Sequence, residues 1–241
     1  MGIQEFKINM DKLEAILFDI DDTLFDRDKA QIEWAHLMIE EYREVFKGIE
    51  QKAVVNALLK SDRIATEEFN RTYSRDAARI GRFRIFLKLL GLSSEPAEGI
   101  TALYVESYPK INSPVKGAKS VIEHLAKKFQ LGIVSNAFGD VQYQKLKVLG
   151  IKDLFDCILL SSEVGVWKPD PRIFWRAASL LERQPEECMY IGNFYDDDIL
   201  GAKKAGMQTC WFSPGGTHPA QKNYKPNYVI RKLNEILEIT S

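Results

Sequence analysis

Asp19 and Asp21 stand two residues apart in the segment Asp19-Ile20-Asp21-Asp22-Thr23-Leu24, directly after the apolar run Ala15 to Phe18. At the end of a buried strand, one such carboxylate can attack an electrophile while its neighbour handles the proton. A hard cation held by both would neutralise the phosphate they must approach. The pattern points to phosphoryl transfer. Three further polar clusters follow the first: Ser135-Asn136 after Leu131 to Val134, then Gly165-Val166-Trp167-Lys168-Pro169-Asp170-Pro171, then Gly192-Asn193-Phe194-Tyr195-Asp196-Asp197-Asp198 after Met189 to Ile191.

Each cluster taken alone has a plainer explanation. An aspartate turn is a common way to leave a strand, and Ser-Asn is an ordinary helix cap. Lysine is normally a solvated surface charge, and aspartates gather at helix N-termini to meet the dipole. Four such clusters, placed where buried strands should end, argue instead for one shared site.

The elements that would hold them are short apolar runs at Ala15 to Phe18, Leu131 to Val134, Cys157 to Leu160, Met189 to Ile191, Thr209 to Phe212 and Tyr228 to Ile230. Between most of them lie amphipathic stretches, such as Val121, Ile122, Leu125 and Phe129, or Ile173, Phe174, Ala177 and Leu181, at helical spacing. This alternation predicts an α/β fold, a parallel sheet covered by helices on both faces. Ligands of such sheets bind beyond the carboxyl ends of the strands. From about Asp28 to Tyr108 the alternation stops, and only helical patterns appear, over Ile32 to Phe46, Lys52 to Leu59 and Thr66 to Leu90. Residues 1–27 and 109–241 are therefore expected to form the core, with 28–108 an inserted helical lid over the active face.

These residues and their order resemble the haloacid-dehalogenase-superfamily hydrolases, on the branch with a helical cap between the first and second motifs, and the likeness covers almost the whole length. The resemblance implies a Rossmann-like core with an all-α cap, a magnesium-dependent phosphoaspartyl intermediate and phosphomonoester hydrolysis. On that basis Asp19 is the nucleophile. Asp21 protonates the leaving alcohol and later deprotonates water, its backbone carbonyl binding the metal. Asp22 offers its backbone N–H to the phosphoryl pocket, and Thr23 orients Asp21 or the loop. Ser135 donates to a phosphoryl oxygen, Asn136 touches substrate, and Lys168 stabilises the charge of the nucleophile and of the transferring group. The expected Mg²⁺ ligands are Asp19, Asp21, Asn193 and Asp198, with Asp197 also within the spacing allowed for the last.

The chain departs from the family's pattern at Asn193, where an aspartate is usual. Asparagine keeps an oxygen donor but removes a charge, so it would bind Mg²⁺ weakly or through water. Two oxygens from the first cluster and one from the fourth would still supply half an octahedron, with substrate and water completing it.

Composition narrows the partners. Lys plus Arg (33) nearly cancels Asp plus Glu (34), so no overall field draws the chain to a nucleic acid polymer or an anionic membrane. Cys157, Cys188 and Cys210 lie in apolar runs and read as buried free thiols of a reducing compartment. His36, His124 and His218 lack zinc spacing. Met1 to Glu14 has no signal-peptide core, and no apolar run approaches the roughly 20 residues of a membrane span. A cytoplasmic enzyme of small phosphorylated metabolites is expected, with its oligomeric state left open.

In the lid, Arg71, Arg75, Arg79 and Arg82 recur at helical spacing. A solvated face is the expected use, and a cationic stripe for an anionic substrate is the alternative. Phe69, Tyr73, Phe83 and Phe86 are expected to pack the lid. The leading activity is a phosphatase for a nucleoside monophosphate or sugar phosphate. A 2-haloacid dehalogenase is a rival, disfavoured by Asp21 and slightly favoured by Asn193. A phosphomutase and a catalytically weak binding or regulatory protein on the same scaffold complete the alternatives.

Overall fold

The computed structural model describes residues 12–69, 75–216 and 224–241. Arg71, Tyr73, His218 and most of Met1 to Glu14 lie outside the described residues, as do the side chains of Phe69 and Arg75. The chain divides into two units, one of Met1–Phe25, Pro114–Gly139 and Leu149–Ser241, the other of Asp26–Ser113 and Asp140–Val148.

The first unit is built on β1 (Ala15–Phe18), β2 (Gln130–Ser135), β3 (Cys157–Leu160), β4 (Cys188–Gly192), β5 (Gln208–Phe212) and β6 (Tyr228–Ile230). These strands form one parallel sheet in the order β3-β2-β1-β4-β5-β6. All four residues of β1 are buried, as a central parallel strand covered on both faces requires. Its register places Phe18 opposite Ile133 of β2 and Ile191 of β4. The carboxyl ends of the three strands are therefore level, and the chain reverses its direction of winding between β1 and β4. That is where sheets of this kind open a crevice.

Helices complete the unit, which is an α/β, Rossmann-like fold. Between β1 and β2 on the chain come α1 (Arg27–Glu41), α2 (Gln51–Phe69), α3 (Arg75–Leu89) and α4 (Ala97–Ser107), all of the second unit, and then α5 (Ala118–Leu125) of the first. Beyond β2 lie α6 (Gly139–Val148), the single turn α7 (Ser161–Val164), α8 (Pro171–Leu180) and α9 (Leu200–Lys204). The apolar face of α8, Ile173, Phe174 and Ala177, packs in one cluster with Leu17, Val134 and Tyr190 from three strands. Phe174 meets Tyr190 edge-on, with ring centroids 5.0 Å apart.

In the second unit the rings of Trp34, Phe83, Phe86 and Tyr104 form the core, Trp34 and Tyr104 meeting edge-on at 5.2 Å. Phe83 and Phe86 thus pack as expected. Arg79 and Arg82 do not form a solvated face. Both are buried. Arg79 makes a two-pronged bond to Asp140 of α6 at 2.7 and 2.8 Å, and Arg82 pairs with Asp62 at 3.2 Å while lying over Phe83 and Tyr104. Buried guanidinium groups need such partners, and Asp140 and Asp62 supply them from distant positions.

Candidate active site

Four loops of the first unit leave the level strand ends and bring their polar residues together. Asp19 directly follows β1, and its N–H donates to the Ile191 carbonyl at 2.9 Å, which fixes it beside β4. Ser135 ends β2 and is buried, its carbonyl accepting from Ser161 Oγ at 3.1 Å. Lys168 is reached after β3 and α7, and Asp170 then caps α8 by accepting from Arg172 N–H. Asn193 follows β4, and a single wide turn, Tyr195–Ile199, carries Asp196, Asp197 and Asp198.

The centre of the arrangement is the Lys168 ammonium. Its Nζ lies 2.7 Å from Asp19 Oδ1, 2.6 Å from Asp198 Oδ1 and 2.9 Å from the Tyr190 hydroxyl. An ammonium has three hydrogens, and each of these partners can accept one. Lys168 is 3% exposed and Asp198 1%, so the charges are desolvated and depend on one another.

Two carboxylates sharing one ammonium leave a net negative charge in a dry place. Burial pushes the Asp19 carboxyl up to about 6, with Lys168 pulling it down and Asp198 pushing it up. Burial alone would depress the Lys168 ammonium, but the Asp19 and Asp198 carboxylates more than reverse this and hold it above its ordinary value. Lys168 therefore stays protonated.

Local geometry makes room for this cluster. A Cβ on Gly192 would collide with the Asp198 carboxyl group, so glycine at the end of β4 is what admits that side chain. Gly201 plays the same part for the Lys168 loop: a Cβ there would lie 2.6 Å from the Phe174 ring and 2.9 Å from Pro169 Cα.

Several expected residues take up other contacts. Asn136 does not reserve its amide for a substrate: Nδ2 donates to the Lys168 carbonyl at 3.0 Å and to Asp197 Oδ2 at 3.2 Å, and Oδ1 accepts from Lys168 N–H at 2.8 Å. Asp22 has its N–H taken by the Phe25 carbonyl at 2.7 Å, since the loop closes tightly with Asp22 at φ 57. That N–H is not turned toward a phosphoryl pocket. Thr23 Oγ1 donates to Asn193 Oδ1 at 3.2 Å, tying the loop of the first cluster to the fourth. Asp198 has both oxygens engaged, Oδ1 with Lys168 and Oδ2 with the Phe194 N–H at 2.8 Å. It anchors Lys168 in this structure. Asp21 is half-buried two residues beyond Asp19, in a bridge with Phe25.

Among the described residues no three His, Cys, Asp or Glu side chains close into a metal cage. The oxygen donors expected of this site are Asp19, the Asp21 carbonyl and Asn193 Oδ1, an amide oxygen with a second lone pair beyond the one Thr23 uses. This set fits Mg²⁺, which takes one or two carboxylates and fills its octahedron with water and phosphate.

Sequence reasoning missed Tyr190. It sits within the apolar strand β4, and the one signal was a phenol in a fully buried run, where its O–H must find a partner.

The chain belongs to the haloacid dehalogenase-like hydrolase family, whose profile matches residues 16–212, and it is an enzyme of that class. It is 29% identical over 239 residues to a glyceraldehyde 3-phosphate phosphatase of Methanopyrus kandleri, covering 94% of this chain and 97% of that one. It is 27% identical to the pyrimidine 5′-nucleotidase YjjG of Escherichia coli over 95% of this chain and 98% of that one. The HAD-hydrolase YfnB of Bacillus subtilis is 30% identical over 95% of this chain and 96% of its own. A crystal structure of YfnB bound to magnesium superposes with a TM-score of 0.78, covering 95% and 98% of the two chains. No helix among the described residues is long and apolar enough to cross a membrane.

Proposed function

We propose that this enzyme is a magnesium-dependent phosphatase that hydrolyses a small phosphomonoester through a phosphoaspartyl intermediate on Asp19. The observation that carries this reading is the 2.7 Å contact between Lys168 Nζ and Asp19 Oδ1, with Asp21 two residues further on. The contact fixes the Asp19 carboxylate and leaves its other oxygen for attack.

In the first half-reaction Asp19 Oδ2 bonds to phosphorus as the ester P–O bond breaks, and the Asp21 carboxylic acid gives its proton to the departing alcohol oxygen. In the second, the Asp21 carboxylate takes a proton from water, which attacks phosphorus, releases phosphate and restores Asp19. Lys168 counters the negative charge that grows beside Asp19, and Ser135, buried at the end of β2, would donate to a phosphoryl oxygen. Mg²⁺ held by Asp19, the Asp21 carbonyl and Asn193, and favoured by the charge of Asp198, would supply charge neutralisation for the incoming phosphate.

Relatives named for glyceraldehyde 3-phosphate and pyrimidine 5′-nucleotides support a sugar phosphate or nucleoside monophosphate as substrate. Asn193 is the one residue that favours the dehalogenase alternative. Phosphate release from aryl phosphate, nucleotides and triose phosphate, and halide release from a 2-haloacid, are to be measured with and without EDTA. The account expects phosphate release abolished by EDTA. Halide release that survives EDTA, without phosphate release, would overturn it.

A further inference from the structure

We propose that the Tyr190 hydroxyl is a positioning residue that fixes the rotation of the Lys168 ammonium, so that its remaining hydrogens point at Asp19 and Asp198. The inference deepens the phosphatase reading and rests on it for its catalytic consequence, while the structural claim stands on the hydrogen bonds alone.

A phenol has one hydrogen to give. Tyr190 Oη lies 2.7 Å from the Val134 carbonyl and 3.3 Å from Asp198 Oδ1. The shorter contact, to a carbonyl fixed in the inner strand β2, takes the hydrogen. The hydroxyl lone pair then faces Lys168 Nζ at 2.9 Å and can only accept. The ring cannot swing away, for it is fully buried and held edge-on by Phe174 at 5.0 Å. Tyr190 is thus a neutral acceptor bolted to two strands, β4 through its backbone and β2 through its hydroxyl.

The two carboxylates alone do not define the ammonium rotor. Each accepts one hydrogen, at 2.7 and 2.6 Å, and the Tyr190 hydroxyl, at 2.9 Å, adds a third direction from an acceptor fixed in the sheet. With Tyr190 present the three bonds form a tripod, and the Asp19 carboxylate is held by a donor of fixed direction. Preorganised donors of this kind act on the transition state more than on substrate binding.

The test compares Tyr190→Phe, which removes only the hydroxyl, with Ile173→Val, which loosens the same core cluster without touching Lys168. The first readout, independent of activity, is hydrogen exchange of the Lys168 ammonium followed by ¹⁵N NMR. We expect about tenfold or faster exchange in Tyr190→Phe and little change in Ile173→Val. The second is steady-state turnover of an alkyl phosphate, where Tyr190→Phe should lower kcat by about tenfold with KM within about twofold, and Ile173→Val should keep both. Unchanged ammonium exchange in Tyr190→Phe overturns the proposal, as does equal loss of kcat in both variants. Wild-type protein that releases no phosphate would sink the phosphatase reading, and the exchange measurement would still decide the tripod.

Discussion

Asn136 grips Lys168 by both of its backbone polar groups, accepting from its N–H at 2.8 Å and donating to its carbonyl at 3.0 Å. A single side chain at the end of β2 thus sets where the Lys168 loop begins, and through it where the ammonium meets Asp19. Asn136→Ala leaves two backbone groups without these partners, at a cost of about 1–3 kcal/mol. Turnover should fall by roughly 10- to 100-fold, and thermal denaturation should show a lower Tm. Wild-type turnover in the variant would show that the loop holds itself.

Asp21 is assigned the proton that the leaving alcohol takes. A nitrophenolate leaves without needing it, whereas an alkoxide does not. Asp21→Asn should therefore slow alkyl phosphates by at least about tenfold more than nitrophenyl phosphate. Equal losses on the two substrates would remove Asp21 from the acid role.

The ionisation of Asp19 gives a pH prediction with a definite sign. Its carboxyl is pushed up to about 6 by burial and by Asp198, against the pull of Lys168. The nucleophile of the metal-free protein should therefore lose its charge as pH falls through about 6, well above the ordinary 3.8. Lys168→Met removes the opposing pull and should push the carboxyl higher still. Carbonyl-carbon NMR of Asp19 checks both, and a midpoint near the ordinary value in metal-free protein would contradict the description of the cluster.

Asp62 shows the opposite sign in the second unit. Burial opposes its ionisation, but Arg27 at 2.6 Å and Arg82 at 3.2 Å more than compensate and hold it at about 2. A depressed carboxyl stabilises the fold above its unfolded value near 3.8, and that contribution is lost as pH falls from there through about 2. Asp62→Asn leaves buried guanidinium charge uncompensated and should cost about 3 kcal/mol or more at neutral pH. Denaturant titrations at pH 7 and pH 2.5 should show the difference between variant and wild type shrinking in acid. A difference independent of pH would mean that Asp62 acts through packing rather than charge.

What could be read from the residues beforehand follows the range of the interactions. Each strand of the sheet is a short apolar run bounded by polar residues, so β1 to β6 were legible locally, as were the polar residues that follow β1, β2 and β4. Asp19 was legible because it stands just past such a run, and Lys168 because of its Lys-Pro-Asp-Pro setting. Tyr190 was not, because its hydroxyl meets Lys168 across the sheet and a strand residue reads only as apolar. The turn of Asn136 toward Lys168, thirty-two positions along the chain, and the pairing of Arg79 with Asp140 and Arg82 with Asp62 are contacts between distant segments. Helical spacing puts Arg79 and Arg82 near one face and says nothing of Asp140 and Asp62, which meet them. Likewise the pattern of α6 marks a helix without saying that Asp140–Val148 packs with the second unit.

The covalent role of Asp19 is tested most directly by quenching the enzyme with borohydride during turnover of a phosphate ester in Mg²⁺ and sequencing the active-site peptide by mass spectrometry. An acyl phosphate on its carboxyl is reduced to an alcohol, so residue 19 should appear as homoserine in a substrate-dependent manner. Unmodified aspartate at that position, under conditions where phosphate is being released, would contradict the account.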